Sequence, residues 1–287
     1  MTAGDIKIRS AEHNKFISGA VFNGANDDIQ INAVATLEAG SANLKGTISA
    51  WICVPDITGT YSIFCLGDAD ADERLCLQIA AGCLQGINTD GGVAQWSIIS
   101  TSVVITAHKW HHVCLTHNGI RPKLYVDGAA VAMTDTVSTD LTEWCNGLTG
   151  LDKGTIGMNI YKNVSEQDFV GGIAYVKYST GLATTQANWL PAQVKEEYDY
   201  RAGNGTGSGA TSAGTVNCLW TLNGNAIETV TGGATYDGTI ESDVQYDPEY
   251  SELTSKLRLL GPVVADDISF IPYGLTGGVA AVVVKAA

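Results

Sequence analysis

Short stretches of alternating apolar and polar residues run through most of this chain. The clearest lies between Trp110 and Thr116, and another, Leu124 to Val126, follows after the pair Asn118-Gly119. Asparagine followed by glycine tolerates the positive φ angles of a tight turn, and Asp127-Gly128 offers a second turn of this kind. The pattern predicts two antiparallel strands joined as a β-hairpin.

Similar stretches predict strands as far as residue 179, separated by turns rich in glycine and aspartate. One region, 134–153, has no clear periodicity and is predicted to be a long loop at one end of the fold. The predicted strands are 16–23, 28–33, 46–54, 61–66, 74–80, 84–88, 94–99, 102–106, 110–117, 121–127, 129–133, 154–160 and 169–179.

Composition divides the chain into five segments. The stretch 202–215 is rich in glycine, serine and threonine, which is typical of a flexible linker. Strand-like residues resume after it, and from 256 onward the chain is again apolar. The predicted segments are an N-terminal arm at 1–15, a β-domain at 16–201, the linker at 202–215, a strand segment at 216–250 and a docking segment at 251–287.

Several motifs in the β-domain resemble those of one known family. They are the strand Trp110-His111-His112 with its partner Leu124 to Gly128, then Val21-Phe22-Asn23-Gly24, Gly46 to Ile52, Gly171 to Tyr178, and a closing helix at Leu190 to Tyr198. In their order along the chain, these motifs resemble a laminin G-like domain of the concanavalin A-like jelly-roll superfamily. The resemblance implies an all-β fold, an antiparallel two-sheet jelly-roll sandwich, here with a C-terminal β extension.

The strand segment 216–250 resembles a part that precedes the domain in many family members. It contains Leu219-Trp220-Thr221 and, later, Gly232 to Ile240. It can fold back to complete its own sandwich, as in a circular permutation, or pair with a neighbouring copy as a swapped strand. We favour the first arrangement, because the linker keeps the segment at high effective concentration near its own domain.

The apolar residues of 251–287 predict contact with a partner. Unpaired strands with such side chains associate readily, so we expect them to pack on the domain or on other subunits of an assembly, including copies of this chain. The candidate docking residues are Leu259, Val263, Ile268, Phe270, Ile271 and Val282.

Charge and cysteine content narrow the possible partners and compartments. The net charge of −14 argues against nucleic acid, whose binding depends on lysine and arginine, and no apolar stretch is long enough for membrane insertion.

The seven cysteines cannot all pair, and those within apolar strands are interpreted as reduced core residues. Cys76 with Cys83, or Cys145 with Cys218, remain possible pairs. Because no secretory leader is apparent, synthesis in a cytoplasm is expected.

Carboxylates at alternate positions make calcium the one cofactor to consider. Asp68, Asp70 and Asp72 lie in a predicted turn, and calcium takes six to eight oxygen ligands. A solvated acidic turn is the alternative. The family resemblance adds Asp28, or its neighbour Asp27, as a possible ligand, although Ala174 stands where relatives carry a second aspartate.

Catalytic motifs are not found in the sequence. A strand with Glu-x-Asp-x-Glu spacing, a Gly-x-Ser-x-Gly turn and a phosphate-binding loop are all missing. His111 and His112 should face opposite sides of their strand, which disfavours a shared zinc site. The sequence therefore predicts a protein that is not an enzyme.

Binding of a glycan is possible through aromatic residues in the predicted loop. Trp144 lies there with Asp140 and Asn146, and an exposed indole ring can stack on a sugar. Burial of Trp144 beneath the loop is the alternative.

Two functions are consistent with these patterns. The first is a structural component of a large assembly, such as a viral (phage-like) virion surface, decoration or tail protein made in the host cytoplasm. The second is a carbohydrate-binding adhesin or lectin-like module at a cell surface, in an extracellular setting. Deletion of 256–287 would test the first function, and a glycan array would test the second.

Overall fold

The computed structural model describes residues 19–162, 164–184, 187–202, 216–222, 239–241, 245–246, 268–272 and 279–284. In chain order the elements are β1 (Ala20–Asn23), β2 (Asp28–Gln30), α1 (Asn32–Glu38), β3 (Lys45–Cys53), β4 (Thr60–Gly67), β5 (Arg74–Ala80), β6 (Cys83–Asp90), β7 (Val93–Ser100), β8 (His111–Asn118), β9 (Pro122–Val126), β10 (Ala129–Ala130), β11 (Met133–Ser138), β12 (Lys153–Ile156), β13 (Asn159–Tyr161), β14 (Val164–Glu166), β15 (Val170–Gly181), α2 (Pro191–Ala202), β16 (Val216–Trp220), β17 (Thr239–Glu241), β18 (Gln245–Tyr246), β19 (Ile268–Pro272) and β20 (Val279–Val284).

Two antiparallel sheets form the body, and each has eight strands when the described residues are counted. Sheet A has the order β10-β9-β8-β3-β15-β1-β18, with β16 also paired to β15. Sheet B has the order β11-β7-β6-β5-β4-β12-β2-β17. The prediction of an all-β, antiparallel jelly-roll sandwich is confirmed.

The core lies between the two sheets because each strand alternates its side chains. Ile48 and Ile52 of β3 point inward and are fully buried, as are Leu75 and Leu77 of β5. Burying a side chain of this size contributes about 1.5–3 kcal/mol. The alternate residues of each strand point to the outer faces of the sheets, where the candidate functional surfaces lie.

The predicted hairpin is confirmed as β8 and β9. Val113 pairs with Val126 and Leu115 with Leu124. Gly119 has a φ of +80°, which a residue with a side chain rarely adopts. Alternation and turn residues were sufficient to place this pair of strands.

Two predicted boundaries are wrong for tertiary reasons. Residues 102–106 are not a strand, because the amides of Val104 and Ile105 both donate to the carbonyl of Gly82 and close the end of the sandwich. The predicted loop at 134–153 begins inside β11, which pairs with β7.

The segment after the linker pairs with its own chain. In β16, Trp220 lies opposite Val176 and is buried in the same hydrophobic cluster as Phe22 and Ile29. Strands β17 and β18 pair with β2 and β1. These strands thus pair with strands of the same chain, while the division into five segments and the choice between a completed and a swapped sandwich stay predictions.

The C-terminal residues include one hairpin, β19 with β20, in which Ile268 pairs with Val284 and Phe270 with Val282. Of the candidate docking residues, Ile268, Phe270, Ile271 and Val282 belong to this hairpin, whereas Leu259 and Val263 lie outside the described residues, as does the arm at 1–15. Their docking role stays a prediction. Within the ranges given above, neither helix is long and apolar enough to cross a bilayer.

The interpretation of all strand cysteines as reduced is wrong for one pair. Cys65 and Cys76 lie directly opposite each other in β4 and β5 and form a disulfide. The adjacent strands bring together two residues that the sequence pattern alone did not pair. The two pairs that the sequence left open are not formed, since Cys76 is bonded to Cys65 and neither Cys83 nor Cys145 is in a disulfide.

Candidate functional site

Trp144, the predicted sugar platform, is a core residue. Its exposure is 0%, its Nε1 donates to Thr180 Oγ1 at 3.2 Å, and its ring lies 5.6 Å from that of His117. The loop folds into the end of the sandwich and inserts the indole there, over Gly46, where a side chain would clash with it. The prediction that Trp144 presents a binding surface is therefore wrong.

The two polar residues predicted to assist Trp144 hold turns. Asp140 accepts from the amide of Thr142 at 2.8 Å, and the side-chain oxygen of Asn146 accepts from the amide of Trp144 at 3.0 Å. Both are exposed, but without an exposed indole they do not form the predicted site.

The predicted calcium ligands are engaged in a structured turn. Asp68 Oδ1 accepts from the amides of Asp70 and Ala71 at 2.7 and 3.1 Å. Asp72 Oδ2 pairs with Lys162 Nζ at 2.8 Å. Asp68 is thus held by amides of its own turn and Asp72 by an ion pair with Lys162, while Asp70 is exposed.

Asp28 is not close to this turn. It precedes Ile29, which lies opposite Ile156 at one end of β12, whereas Asp68 follows Gly67, which lies opposite Lys153 at the other end. Across the described ranges, no three histidine, cysteine, aspartate or glutamate side chains group as a metal site requires. The four aspartates therefore do not form the predicted calcium site.

His111 and His112 face opposite sides of β8, as predicted. Nδ1 of His111 donates to Asp127 Oδ2 at 2.8 Å, and Nε2 of His112 lies 2.8 Å from Ser49 Oγ. Burial lowers the pKa of His112 to about 4, so its imidazole is neutral at pH 7. These contacts give the two histidines structural roles.

The outer face of sheet A is covered by α2 and the residues that precede it. Tyr198 stacks on Trp51 with ring centroids 5.7 Å apart, and Glu197 Oε2 lies 2.7 Å from Lys177 Nζ. The amide of Trp189 donates to Thr47 Oγ1 at 2.8 Å. Over most of its area this face belongs to the interior.

The outer face of sheet B carries a row of amide and hydroxyl groups, which we call the polar face. Gln78 of β5 donates to Gln85 of β6 at 2.8 Å, and Gln85 donates to Ser97 of β7 at 3.1 Å. Thr136 of β11 donates to the same Ser97 oxygen at 2.8 Å. Gln85 is partly exposed and Thr136 is exposed, so the row reaches solvent.

A hairpin forms a wall along one side of the polar face. Asn159 of β13 is fully buried against Cys65 and Cys76 of the sheet. The carbonyl of Ile160, the residue after Asn159, lies so close to Gly67 of β4 that a side chain at Gly67 would clash with it. The hairpin β13–β14 therefore lies over β4. Gln78 and Ser97, which are 3% and 7% exposed, are buried, and Gln85 of β6 and Thr136 of β11 form the solvent-facing part of the row.

Sequence reasoning missed the polar face, although a signal was present. Gln78, Gln85 and Ser97 are the polar members of alternating strands, so their outward direction could be predicted. That they align across neighbouring strands depended on strand order and register, which alternation does not give.

The chain matches the model of one protein family. Residues 23–186 match the laminin G-like model described as "Concanavalin A-like lectin/glucanases superfamily". This is more than half of the chain, and the chain therefore belongs to that superfamily. The sequence has no match among curated proteins.

Solved structures show likeness in fold. CBM40 of the Ruminococcus gnavus IT-sialidase, bound to α2,3-sialyllactose, has a TM-score of 0.45 at 15% identity, covering 64% of this chain and 95% of its own. The leech intramolecular trans-sialidase has a TM-score of 0.48 at 16% identity, covering 68% and 29%. Domains LG4-5 of the mouse laminin α1 chain have a TM-score of 0.42 at 17% identity, covering 56% and 40%.

Proposed function

We propose that this protein is a non-catalytic carbohydrate-binding module and that the polar face of sheet B binds a glycan. The single observation that carries the proposal is the row of amide and hydroxyl groups from Gln85 to Thr136, on a part of the face that no helix of the described chain covers. Membership of a superfamily that includes lectins supports the same class of ligand.

The chemistry of the row suits neutral sugars. A glutamine amide both donates and accepts, as do the hydroxyls of Ser97 and Thr136, so each can pair with a sugar hydroxyl of either sense. One such hydrogen bond contributes only about 0.5–1.5 kcal/mol, and useful affinity requires several at once. Gln85 and Thr136, the solvent-facing members, lie two strand spacings apart, which is roughly 10 Å and enough for a short oligosaccharide to contact both.

The role at a virion surface, and the localisation that accompanies it, stay predictions. The family match gives them no support, and the docking residues on which they depend are only partly described. A lectin-like module agrees better with the family and with the polar face.

The experiment is affinity electrophoresis of the full chain in gels containing galactomannan, hydroxyethyl cellulose or amylopectin. We expect at least one polysaccharide to retard the protein and Gln85→Ala to weaken the retardation by roughly fivefold or more, the value of one lost hydrogen bond. Gln30→Ala is the matched control, since Gln30 lies on β2, beyond β4 and β12. Retardation that Gln85→Ala leaves unchanged, or no retardation by any of the three, would contradict the proposal.

A further inference from the structure

Three aromatic rings gather at one end of the outer face of sheet A. Trp110, Tyr175 and Tyr198 are partly exposed and pack against the buried pair Trp51 and Ala174. We call these three residues the aromatic patch. It is the part of this face that reaches solvent through large aromatic side chains.

A β-bulge directs Tyr175 into the patch. Ala174 lies opposite Trp51 and Lys177 opposite Ser49, so two residues of β15 face one residue of β3. The backbone of Tyr175 has a φ of +49°, which is unfavourable for a residue with a side chain. In a regular strand Tyr175 would point to the opposite face from Ala174, and the bulge brings its ring to the same one.

The other two rings are held by contacts with backbone. A side chain at Gly172 would come within 2.7 Å of the Trp110 ring, so the indole lies directly on β15. The ring of Tyr198 stacks on Trp51 and lies close to Gly128, where a Cβ would be 3.1 Å from it. All three rings are therefore fixed in position before any ligand arrives.

We propose that the aromatic patch is a second glycan-binding site, which stacks its rings on the apolar faces of pyranose units. The class of ligand rests on the proposed function, whereas the site itself rests on the bulge and the ring contacts. A strained tyrosine persists where its surroundings hold it, and such residues concentrate at binding sites. A glycine at position 175 would adopt the same φ without strain, and the chain already has glycine nearby at 171 and 172.

The two sites lie on opposite outer faces of the sandwich. Stacked sheets are about 10 Å apart, and each site lies outside its own sheet, so a short oligosaccharide cannot contact both. One chain would therefore bind two glycan chains and cross-link a polysaccharide.

The test is isothermal titration of the full chain with cellohexaose, mannohexaose and maltohexaose, together with light scattering of the matching polysaccharide. We expect two sites per chain. Trp110→Ala should weaken one of them by roughly tenfold, as loss of an aromatic contact predicts, and abolish cross-linking, while Trp110→Phe should retain most of the binding.

Tyr175→Gly separates binding from folding. It removes the ring and relieves the backbone, so the patch should lose affinity while the midpoint of urea unfolding stays the same or rises. A lower midpoint with both sites intact would assign Tyr175 a structural role and overturn the inference.

The outcomes for the two sites are distinguishable. A single site that is sensitive to Gln85→Ala and insensitive to Trp110→Ala would overturn the aromatic patch and leave the proposed function standing. A single site with the reverse sensitivities would support the patch and overturn the polar face. Absence of binding to all three sugars would overturn both.

Discussion

The two outer faces of this sandwich are built from the same kind of strand and yet differ in their environment. On sheet A, Ser49 and Lys177 point outward into a layer closed by α2, and both are buried. On sheet B, Gln85 and Thr136 point outward and reach solvent. An outward polar residue is thus a functional candidate only where no later segment of the chain covers it.

The same comparison applies to ion pairs. Lys177 and Glu197 pair at 2.7 Å with side-chain exposures of 11% and 1%, while Arg121 and Asp135 pair at 2.6 Å with exposures of 40% and 23%. Distances are alike, but water screens the second pair and stabilises its partners when they separate. The pair beneath α2 therefore contributes more to stability than the solvated pair, which joins the turn before β9 to β11.

The largest effect is expected from Lys177→Met, which leaves Glu197 charged and buried beneath α2. Removing one partner of a buried pair costs about 3–5 kcal/mol in the free energy of unfolding. Urea denaturation followed by tryptophan fluorescence would measure it. Lys195→Met is the matched control in the same helix, since Lys195 pairs with Asp199 at the surface, and it should cost less than about 0.5 kcal/mol. Equal costs for the two variants would show that α2 does not seal the face.

The next effect is a loss of stability in acid from the covered face. Burial lowers the pKa of His112 from 6.5 to about 4, so between these values the unfolded chain binds a proton that the folded chain does not. The free energy of unfolding should therefore fall as the pH drops from 6.5 towards 4, by an amount on the order of 3 kcal/mol, and His112 should add no slope above 6.5.

His112→Asn provides the check on this slope. Burial also lowers the pKa of His117, which adds a slope of the same sign. The free energy of unfolding of wild type and variant is measured by urea denaturation at pH 4.5, 5.5 and 7.5. Its dependence on pH should differ between the two proteins by the contribution of His112 alone. Identical slopes would contradict the assignment of a neutral, buried imidazole.

The smallest effect compares one substitution on the two faces. Ser49→Ala removes the hydroxyl beside Nε2 of the fully buried His112, and an unpaired buried group costs about 1–3 kcal/mol. Ser97→Ala removes the acceptor for Gln85 and Thr136, which can turn to water, so we expect less than about 1 kcal/mol. Thermal unfolding of both variants would show the difference, and the reverse ranking would contradict the view that the outer face of sheet A is covered more completely than the polar face.

The fold was predictable from the sequence where the pattern was local. Alternation and Gly119 placed the β8–β9 hairpin, and the motifs around Phe22, Trp51 and Trp110 indicated the superfamily. The strand β11 was missed although its burial alternates, because its neighbour in the sheet, β7, was needed to recognise it.

The candidate sites were less predictable. Trp144 stood out as an aromatic residue in a polar stretch, but whether a loop exposes or inserts its tryptophan depends on the space at the end of the sandwich. Trp110 belongs to a strand motif, and its partial exposure, with the ring lying on Gly172 of β15, follows from the packing of two distant strands.

The sequence by itself determined the two-residue period of the strands, the turns at Gly119 and Gly128, and the superfamily, because these depend on neighbouring residues and backbone sterics. The tertiary structure decided which outward residues meet water. Lys177 and Glu197 lie 20 positions apart, Gln78 and Thr136 lie on strands separated by two others, and Tyr175 joins Trp110 through a bulge. Such contacts are set by register and by the packing of α2, since both depend on the whole chain closing on one core.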